Sequence, residues 1–265
     1  MGKIKLLIKY FVYRIRRKGK RGYRLHSPFV FEFNRSVLNC KIKYSEYQDI
    51  KQYRRTLEGN REMIRTEDRG AGSRVFTSSS RRVCDIARYS ASSIETGKLL
   101  FRLARYLNPS VVIELGTSLG FGTYCLAKGA AEGKIYSLEA CGSLLSIAAS
   151  MPGGTGIANA ELIEGTFREN LPDLLERVVK VDLVYFDGDH RKESLLWQFS
   201  QCLAKAADGT VFVIGDIHWS PGMDEAWKII SGHPGISLSV DLFHCGLLFI
   251  REGMAKQHFV LGYSG

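Results

Sequence analysis

Beyond residue 85 the chain alternates between short apolar runs and longer segments with the three-and-four spacing of amphipathic helices. Strands that alternate with helices build a parallel sheet, because each helix carries the chain back to the edge where the next strand starts. The segments between the apolar runs predict six helices, over 92–106, 120–131, 142–150, 168–178, 192–207 and 223–231. The runs themselves predict seven strands, over 111–115, 134–139, 161–164, 181–187, 210–216, 237–242 and 246–251. The sequence therefore predicts an α/β fold with a doubly wound, mostly parallel seven-stranded sheet whose last strand is antiparallel.

Two segments precede this pattern. Residues 25–84 combine aromatic and charged residues with a turn at Ser27-Pro28 and end in a stretch rich in glycine and serine, which predicts a helical cap and a mobile loop. Residues 1–24 predict a basic amphipathic helix. A chain of 265 residues, 45% of them hydrophobic, suits one α/β domain over 85–265 with this N-terminal helical extension better than two full domains.

The positive charge is concentrated at the N-terminus. Residues 1–24 hold ten of the 37 Lys and Arg residues and no acid, so they account for the whole net charge of +10. Lys5 and Lys9 interrupt the apolar run that a secretory signal needs, and no run approaches the ~20 residues of a membrane span. Two interpretations stay open for this helix. It lies on an anionic membrane surface or on nucleic acid, or it docks on its own protein with its charged face in solvent.

The rest of the chain constrains the compartment and the partners. Acidic and basic residues balance beyond residue 24, and this argues against a nucleic-acid substrate, which needs basic patches around the pocket. The six cysteines are far apart and include no Cys-x-x-Cys pair, so we predict reduced thiols, a cytoplasmic protein and no zinc or redox site. A homodimer remains open.

A glycine-rich loop follows the first predicted strand of the sheet, in VVIELGTSLGFGT over 111–123. Gly116 permits a tight turn and Gly120 lets a helix begin close to the sheet, so that backbone N–H groups, Thr117 and Ser118 face a ligand. The loop lacks the Gly-x-Gly-x-x-Gly pattern of dinucleotide enzymes. Glu114, just before the loop, would repel a phosphate and pair with an ammonium group. The loop thus predicts a polar ligand without a phosphate.

A second carboxylate ends the next strand. Glu139 lies at the end of KIYSLE, where a carboxylate accepts hydrogen bonds from both hydroxyls of a ribose. Together with Glu114, it describes a ligand with an amino acid at one end and a nucleoside at the other. S-adenosylmethionine has this outline.

With these motifs the chain resembles the class I S-adenosylmethionine-dependent methyltransferases, which have a Rossmann-like fold. The resemblance rests on IELGTSLGFGT, IYSLEA, EGTF, DLVYFDGDH and VIGDIHWS. Within this family the chain is most similar to small-molecule O-methyltransferases such as the catechol and caffeoyl-coenzyme A enzymes, and to a bacterial group with GAGSR and DIHWS segments. The cofactor contacts that the resemblance implies are Glu114, Gly116, Thr117, Ser118 and Gly120 for the methionine half, Glu139 and Ala140 for the ribose, Gly165, Thr166 and Phe167 for the adenine, and Asp187 beside the transferable methyl.

The candidate catalytic residues follow two later strands. Methyl transfer requires nucleophile, carbon and sulfur in line, and a base that takes the acceptor's proton. Asp187 and His190 follow the fourth predicted strand, and Asp216 and His218 follow the fifth. Either histidine suits a base near neutral pH. Trp219 is predicted to contact an aromatic acceptor.

A divalent metal, Mg²⁺, is an alternative role for two of these carboxylates. In the metal-dependent branch that the chain resembles, the positions of Asp187 and Asp216 and a following Asn bind the cation. Ile217 stands where that Asn is expected, so a third ligand has to come from Asp189, His190 or His218. The competing interpretation is that both Asp residues cap helices and brace loops.

Three functions remain from these observations. The first is methylation of a small-molecule acceptor, with Arg74 of the GAGSR segment closing over the site as part of a lid; disorder without function is the other reading of that loop. The second is an NAD-dependent oxidoreductase, which the glycine pattern and Glu114 disfavour. The third is a non-catalytic module that docks on membrane or nucleic acid through residues 1–24.

Overall fold

A central sheet organises the computed structural model, which describes residues 3–17, 26–66, 80–150 and 158–264. The strands of the described chain are β1 (Met63–Arg65), β2 (Ser80–Arg82), β3 (Val111–Leu115), β4 (Lys134–Glu139), β5 (Ala160–Glu164), β6 (Val181–Phe186), β7 (Ala206–Gly215), β8 (Leu238–Asp241), β9 (Cys245–Phe249) and β10 (Gln257–Val260). β1 and β2 pair with each other, and the other eight form one sheet in the order β10-β8-β9-β7-β6-β3-β4-β5. β9 runs antiparallel to both of its neighbours, and all other neighbours in this sheet are parallel.

The prediction of the sheet is confirmed for its class and is wrong by one strand. All seven predicted strands are present, and β9, the seventh of them, is antiparallel as predicted. The eighth, β10, is the last strand and is parallel to β8. It escaped prediction because it has only four residues, begins with Gln257 and His258, and lies at the sheet edge, where no fully buried side chain gives a clear apolar pattern.

Helices flank the sheet, and the six helices predicted beyond residue 85 are all present. Capping side chains fix where several helices of the chain begin. Ser27 accepts from the N–H of Val30 at the start of the helix that begins at Pro28, and Thr166 and Glu169 form a reciprocal capping box at the start of the helix that begins at Phe167. The helices of the described chain are α1 (Lys3–Arg16), α2 (Pro28–Phe33), α3 (Glu46–Gly59), α4 (Val83–Tyr89), α5 (Ile94–Leu107), α6 (Phe121–Gly129), α7 (Gly142–Ala149), α8 (Phe167–Arg177), α9 (Lys192–Leu203) and α10 (Pro221–Gly232), with a π-helical turn at Asn34–Leu38. None of the described helices is long and apolar enough to cross a membrane.

Alternate residues of the buried strands supply two apolar layers. In β6, Leu183 and Tyr185 join the layer that contains residues of α2 to α7, whereas Val184 and Phe186 join the layer formed with α8, α9 and α10. The sheet is therefore covered on both faces, as a doubly wound fold requires. Because α2 and α3 contribute to the first layer, residues 28–59 share the core of the sheet.

Arg102 of α5 connects distant parts of the chain. It is only 2% exposed, and its guanidinium donates to the carbonyls of Val37 and Ser264 at 2.6 and 2.7 Å and to the hydroxyl of Tyr47 at 3.2 Å. The buried cation thus has polar partners from the N-terminal segment and from the C-terminus.

Helix α1 docks on the rest of the protein, but not in the orientation that the sequence suggested. Tyr13 is buried and its hydroxyl donates to the carbonyl of Leu261, while Lys9 forms an ion pair with Asp224. The outward side carries the exposed apolar residues Leu7, Ile8, Phe11, Val12 and Ile15. The structure thus agrees with the interpretation that α1 docks on its own protein, but the side that it turns to solvent carries the apolar stripe.

Candidate active site

A cleft of about 620 Å³ opens at the carboxyl ends of β3, β4, β6 and β7. The winding reverses here, since the chain moves from β3 outward to β5 and returns to β6 on the other side of β3. In open α/β sheets this is the place where ligands bind. The predicted site residues that line the cleft are Glu114, Gly116, Thr117, Ser118, Glu139, Ala140, Thr166, Phe167, Asp187, His190, Asp216 and Trp219.

Three of the predicted residues that the structure describes are not part of this lining. Gly120 and Gly165 have positive φ values of 78° and 134° and shape the loops behind the cleft walls. His218 lies away from the cleft, as described below. Arg74 falls outside the described residues.

The glycine loop depends on a close contact between two backbones. Gly116 has a φ of +114°, and a Cβ at this position would lie 2.5 Å from the Cα of Gly188 in the loop after β6. No side chain fits there, so the loops after β3 and β6 meet directly. This contact brings Asp187 next to the glycine loop.

Glu114 is buried and is held by hydroxyl groups. Its Oε2 accepts from the hydroxyls of Thr123 and of Ser137, the latter at 2.6 Å. Burial raises the pKa of Glu114 to about 8, helped by the nearby Asp187 and Glu139 and opposed by the two hydroxyl bonds. Its carboxyl group is therefore mainly protonated at neutral pH, whereas the sequence suggested a permanent charge. Gly122 makes room for it, because a Cβ there would lie 2.3 Å from its Oε1.

Glu139 is oriented by backbone donors on both sides. The N–H of Ser118 donates to Oε2 at 3.0 Å, and the N–H of Cys141 donates to Oε1 at 3.1 Å. The first bond links the end of β4 to the glycine loop. The two bonds fix the carboxylate at the cleft wall.

Asp187 directly follows β6 at the inner wall of the cleft. The hydroxyl of Ser92 donates to its Oδ2 at 3.2 Å, and Ser92 also lies 3.0 Å from the hydroxyl of the buried Tyr185. Burial raises the pKa of Asp187 to about 6; His190 opposes this shift and Asp216 adds to it. Ser92 lies in no recognisable motif, and only the tertiary fold brings it to this carboxylate.

His190 and Asp216 face each other across the loops after β6 and β7. The Nε2 of His190 lies 3.8 Å from Oδ2 of Asp216. Asp216 has a φ of +50°, and its N–H donates to the carbonyl of His244 at 2.7 Å. The backbone of Asp216 also accepts from the N–H of Trp219 at 2.8 Å. A short turn therefore carries both Asp216 and Trp219 into the cleft.

His218 lies on the other side of this turn. Its Nδ1 is 2.7 Å from Oδ1 of Asp224, and its Nε2 is 2.9 Å from Oδ2 of Asp241. Burial lowers the pKa of His218, but the two carboxylates outweigh burial, and the net pKa is raised. With both ring nitrogens engaged, His218 braces α10 and β8 and does not face the cleft.

The donor set for a metal does not come together. No group of three or more His, Cys, Asp or Glu side chains in the described part of the chain could hold a metal ion. Ile217, at the position where the metal-dependent branch has Asn, is fully buried. The described residues do not fit the predicted magnesium site, and no step below depends on a metal.

The outer rim contains aromatic and basic residues that the motifs did not reveal. The guanidinium of Arg168 lies 4.0 Å from the ring centroid of Trp197, and both residues line the cleft with Tyr89. Arg191 forms a bidentate pair with the nearly buried Asp189. The signal for these residues is weak, because α4 and α9 supply Tyr89 and Trp197 from outside the family motifs.

Comparison with known proteins finds similarity in the central part of the chain. Residues 113–217 match the family model of a methyltransferase domain. A catechol O-methyltransferase of Mycobacterium tuberculosis is 31% identical over 129 residues, which are 48% of this chain and 57% of that protein. The match thus spans little more than half of the relative's length.

Solved structures share the fold over a longer stretch. The O-methyltransferase TomG of Streptomyces achromogenes, solved with S-adenosylmethionine, has a TM-score of 0.55 and 17% identity over 84% of this chain and 95% of its own. An O-methyltransferase of Bacillus cereus, in complex with S-adenosylhomocysteine, has a TM-score of 0.51 and 17% identity over 79% of this chain and 92% of its own. The predicted Rossmann-like fold is confirmed.

Proposed function

We propose that this protein is a class I S-adenosylmethionine-dependent methyltransferase, and that it transfers a methyl group from S-adenosylmethionine to an oxygen atom of a small-molecule acceptor. The match of residues 113–217 to a methyltransferase domain supports this proposal. One observation carries the proposal. Glu114, the last but one residue of β3, and Glu139, the last residue of β4, lie on adjacent parallel strands on either side of the Gly116 bend, and both line one cleft with Asp187.

The residues of the cleft suit the two ends of this cofactor. Glu114 lies at the end where an amino-acid group fits, and an ammonium beside it favours the ionised carboxylate. Glu139 is held so that it accepts from a ribose diol, and Thr166 and Phe167 form the wall for the adenine. When bound, the cofactor supplies a methyl group activated by a sulfonium. A pyrophosphate fits poorly here, because Asp187 and Glu139 place negative charge on the cleft wall, whereas the protonated Glu114 becomes ionised beside a cation.

The acceptor is proposed to bind at the outer half of the cleft. Tyr89, Trp197 and Trp219 offer aromatic faces, and Arg168 stacks on one of them. Such walls suit an aromatic or otherwise apolar molecule that carries a hydroxyl group. Neither a nucleic-acid substrate nor a protein partner is needed to fill the cleft.

Deprotonation of the acceptor falls to Asp187 and His190. Asp187, with its pKa raised to about 6, is mostly ionised at pH 7 and still basic enough to accept a proton. His190 lies near Asp187 and opposes the rise of its pKa, and its Nε2 lies 3.8 Å from Oδ2 of Asp216. The cleft walls hold the hydroxyl and the methyl donor in line, which is the larger part of catalysis in such a displacement.

The proposed compartment is the cytoplasm, with the surface of a membrane as a second location. All six cysteines are free thiols, five of them buried.

Calorimetric titration with S-adenosylmethionine and with NADH tests the proposal. We expect binding of the first and none of the second. Glu139→Ala should weaken cofactor binding by about 1 to 3 kcal/mol. The matched control is Glu164→Ala, because Glu164 ends the neighbouring strand in register with Glu139 but is exposed and outside the cleft.

Equal affinities of the two variants for S-adenosylmethionine would contradict the ribose assignment, and tight NADH binding would contradict the function. Transfer of radiolabelled methyl groups to extract fractions then identifies the acceptor.

A further inference from the structure

Helix α1 is fastened to the protein by its polar and aromatic side. Lys9 pairs with Asp224, and the hydroxyl of Tyr13 donates to the carbonyl of Leu261. The rings of Tyr10 and Tyr13 lie 4.9 and 5.2 Å from the ring of Phe243. His218 holds Asp224 in place from the other side. The orientation of α1 on the body is therefore fixed by specific contacts.

This attachment leaves the apolar stripe of α1 in solvent. Leu7, Ile8, Phe11 and Ile15 are 66%, 58%, 64% and 69% exposed. Large apolar side chains exposed together along one helix mark an interaction surface, whereas single ones are ordinary. No described segment of the chain covers the stripe.

The net charge of the N-terminal segment indicates what covers the stripe. Residues 1–24 contain ten basic residues and no acid, whereas the remainder of the chain is balanced. A helix with Leu, Ile and Phe on one side and only cations among its charged residues lies in the interface of an anionic bilayer, with the apolar side chains among the acyl chains and the cations at the headgroups. We propose that α1 binds this protein to the surface of an anionic membrane through Leu7, Ile8, Phe11, Val12 and Ile15.

The attachment points of α1 lie on the same edge of the sheet as the cleft. Asp241, which holds His218, ends β8, and Leu261 directly follows β10. Both strands run parallel to β7, because β9 is antiparallel to β7 and β8, and β10 is parallel to β8. Docking thus directs the edge that carries the cleft towards the lipid. If the protein is the proposed methyltransferase, this orientation indicates that its acceptor is an amphiphilic molecule that dissolves in the bilayer.

Flotation with lipid vesicles tests the docking. Wild-type protein should bind vesicles of phosphatidylcholine with phosphatidylglycerol, bind pure phosphatidylcholine vesicles weakly, and be released by salt. The triple variant Leu7→Ser, Phe11→Ser, Ile15→Ser should bind the anionic vesicles about tenfold or more weakly. The matched control replaces Ile42, Val179 and Ile229 by Ser, which are also exposed but lie elsewhere on the surface. This control should bind like wild type.

Cofactor affinity shows that the variants are folded. Phe11→Ser alone is the milder variant and should also lose vesicle binding while retaining cofactor affinity. Undiminished vesicle binding by Phe11→Ser and by the triple variant would overturn the proposal. A second result would also overturn it: the wild type is a dimer, the triple variant is a monomer, and neither binds vesicles. The stripe would then join two copies of the chain. Vesicle binding by a protein that fails to bind S-adenosylmethionine would sustain the docking and reject the proposed function.

Discussion

Gly116 and Gly188 face each other so closely that a Cβ on either residue would lie within 3 Å of the Cα of the other. The loop after β3 and the loop after β6 therefore meet backbone to backbone. This contact sets how far Asp187 stands from the backbone groups of the glycine loop. The two glycines fix the width of the cleft at its inner end.

Comparison of Gly116→Ala with Gly209→Ala distinguishes the effect of this close contact from the strain of a positive φ. Gly116 and Gly209 both have positive φ values, but only at Gly116 does a Cβ meet the backbone of another loop. We expect Gly209→Ala to cost about 1 to 2 kcal/mol of stability and no cofactor affinity. Gly116→Ala should cost more and abolish measurable cofactor binding. Chemical denaturation and calorimetry measure both; unchanged cofactor affinity in Gly116→Ala would contradict the close-contact argument.

Cofactor affinity should depend on pH through Glu114. Its pKa of about 8 in the free protein means that the acid is neutral at pH 7, and a cationic ammonium beside it favours ionisation. Binding then releases a proton, so affinity should rise by up to about tenfold per pH unit below pH 8 and level off above. Calorimetry at several pH values, in buffers of different ionisation enthalpy, detects the proton. Glu114→Gln should remove the rise in affinity between pH 7 and pH 8, and an unchanged slope in this variant would reject the role of Glu114.

Asp187→Asn should lower kcat by about 10²- to 10⁴-fold with a smaller effect on cofactor affinity. Ser92 provides a subtler test, because its hydroxyl bond lowers the pKa of Asp187. In Ser92→Ala the acidic limb of the pH profile of kcat should move to higher pH. A lower rate with an unmoved limb would mean that Ser92 serves the fold and not the base. The neighbouring Ser93, which caps α5, provides no such contact and is the comparison residue.

His218 should stabilise the protein most at low pH. Its pKa is raised because the carboxylates of Asp241 and Asp224 outweigh burial. Its contribution is therefore complete below the unfolded pKa of about 6.5 and is lost as pH rises through the folded value. We expect His218→Gln to cost about 1 to 3 kcal/mol near pH 6 and less near pH 9. Thermal unfolding over this range measures the difference, with His233→Gln as the control histidine; a cost that grows with pH would contradict the assigned pairing.

Chelation should leave methyl transfer unchanged. Asp187 is bound by Ser92, Asp216 faces His190, and the position of a third ligand is occupied by the buried Ile217. The measurement is turnover after treatment with EDTA and after readdition of Mg²⁺. Activity that disappears with EDTA and returns with Mg²⁺ would show that the two carboxylates bind a cation after all.

The sequence was sufficient for the sheet and for the cofactor half of the cleft. Buried strands such as β3 and β4 have continuous apolar runs, and Glu114 and Glu139 end those strands, so their positions follow from register alone. The interior environment does not follow in the same way. The raised pKa of Glu114 arises from complete burial, which depends on helices packed over it from elsewhere in the chain.

Local sequence patterns could not predict the role of residues whose partners are distant in the chain. His218 looked like a base because it follows a strand end, yet its partner Asp241 lies 23 residues further on and turns it away from the cleft. Ser92 and Trp197 likewise reach the cleft only through packing. The orientation of α1 was missed for the same reason, since amphipathicity predicts an apolar stripe but does not say which side finds a partner.

The contacts of Arg102 determine how far the chain can be truncated without loss of the fold. Its guanidinium is satisfied by acceptors at positions 37, 47 and 264, and a fragment limited to residues 113–217 lacks Arg102 itself together with all three partners. A truncated variant that keeps these contacts accordingly extends from Pro28 to Ser264. Chimeras with related proteins should exchange the segments that contain Arg102 and its three partners together.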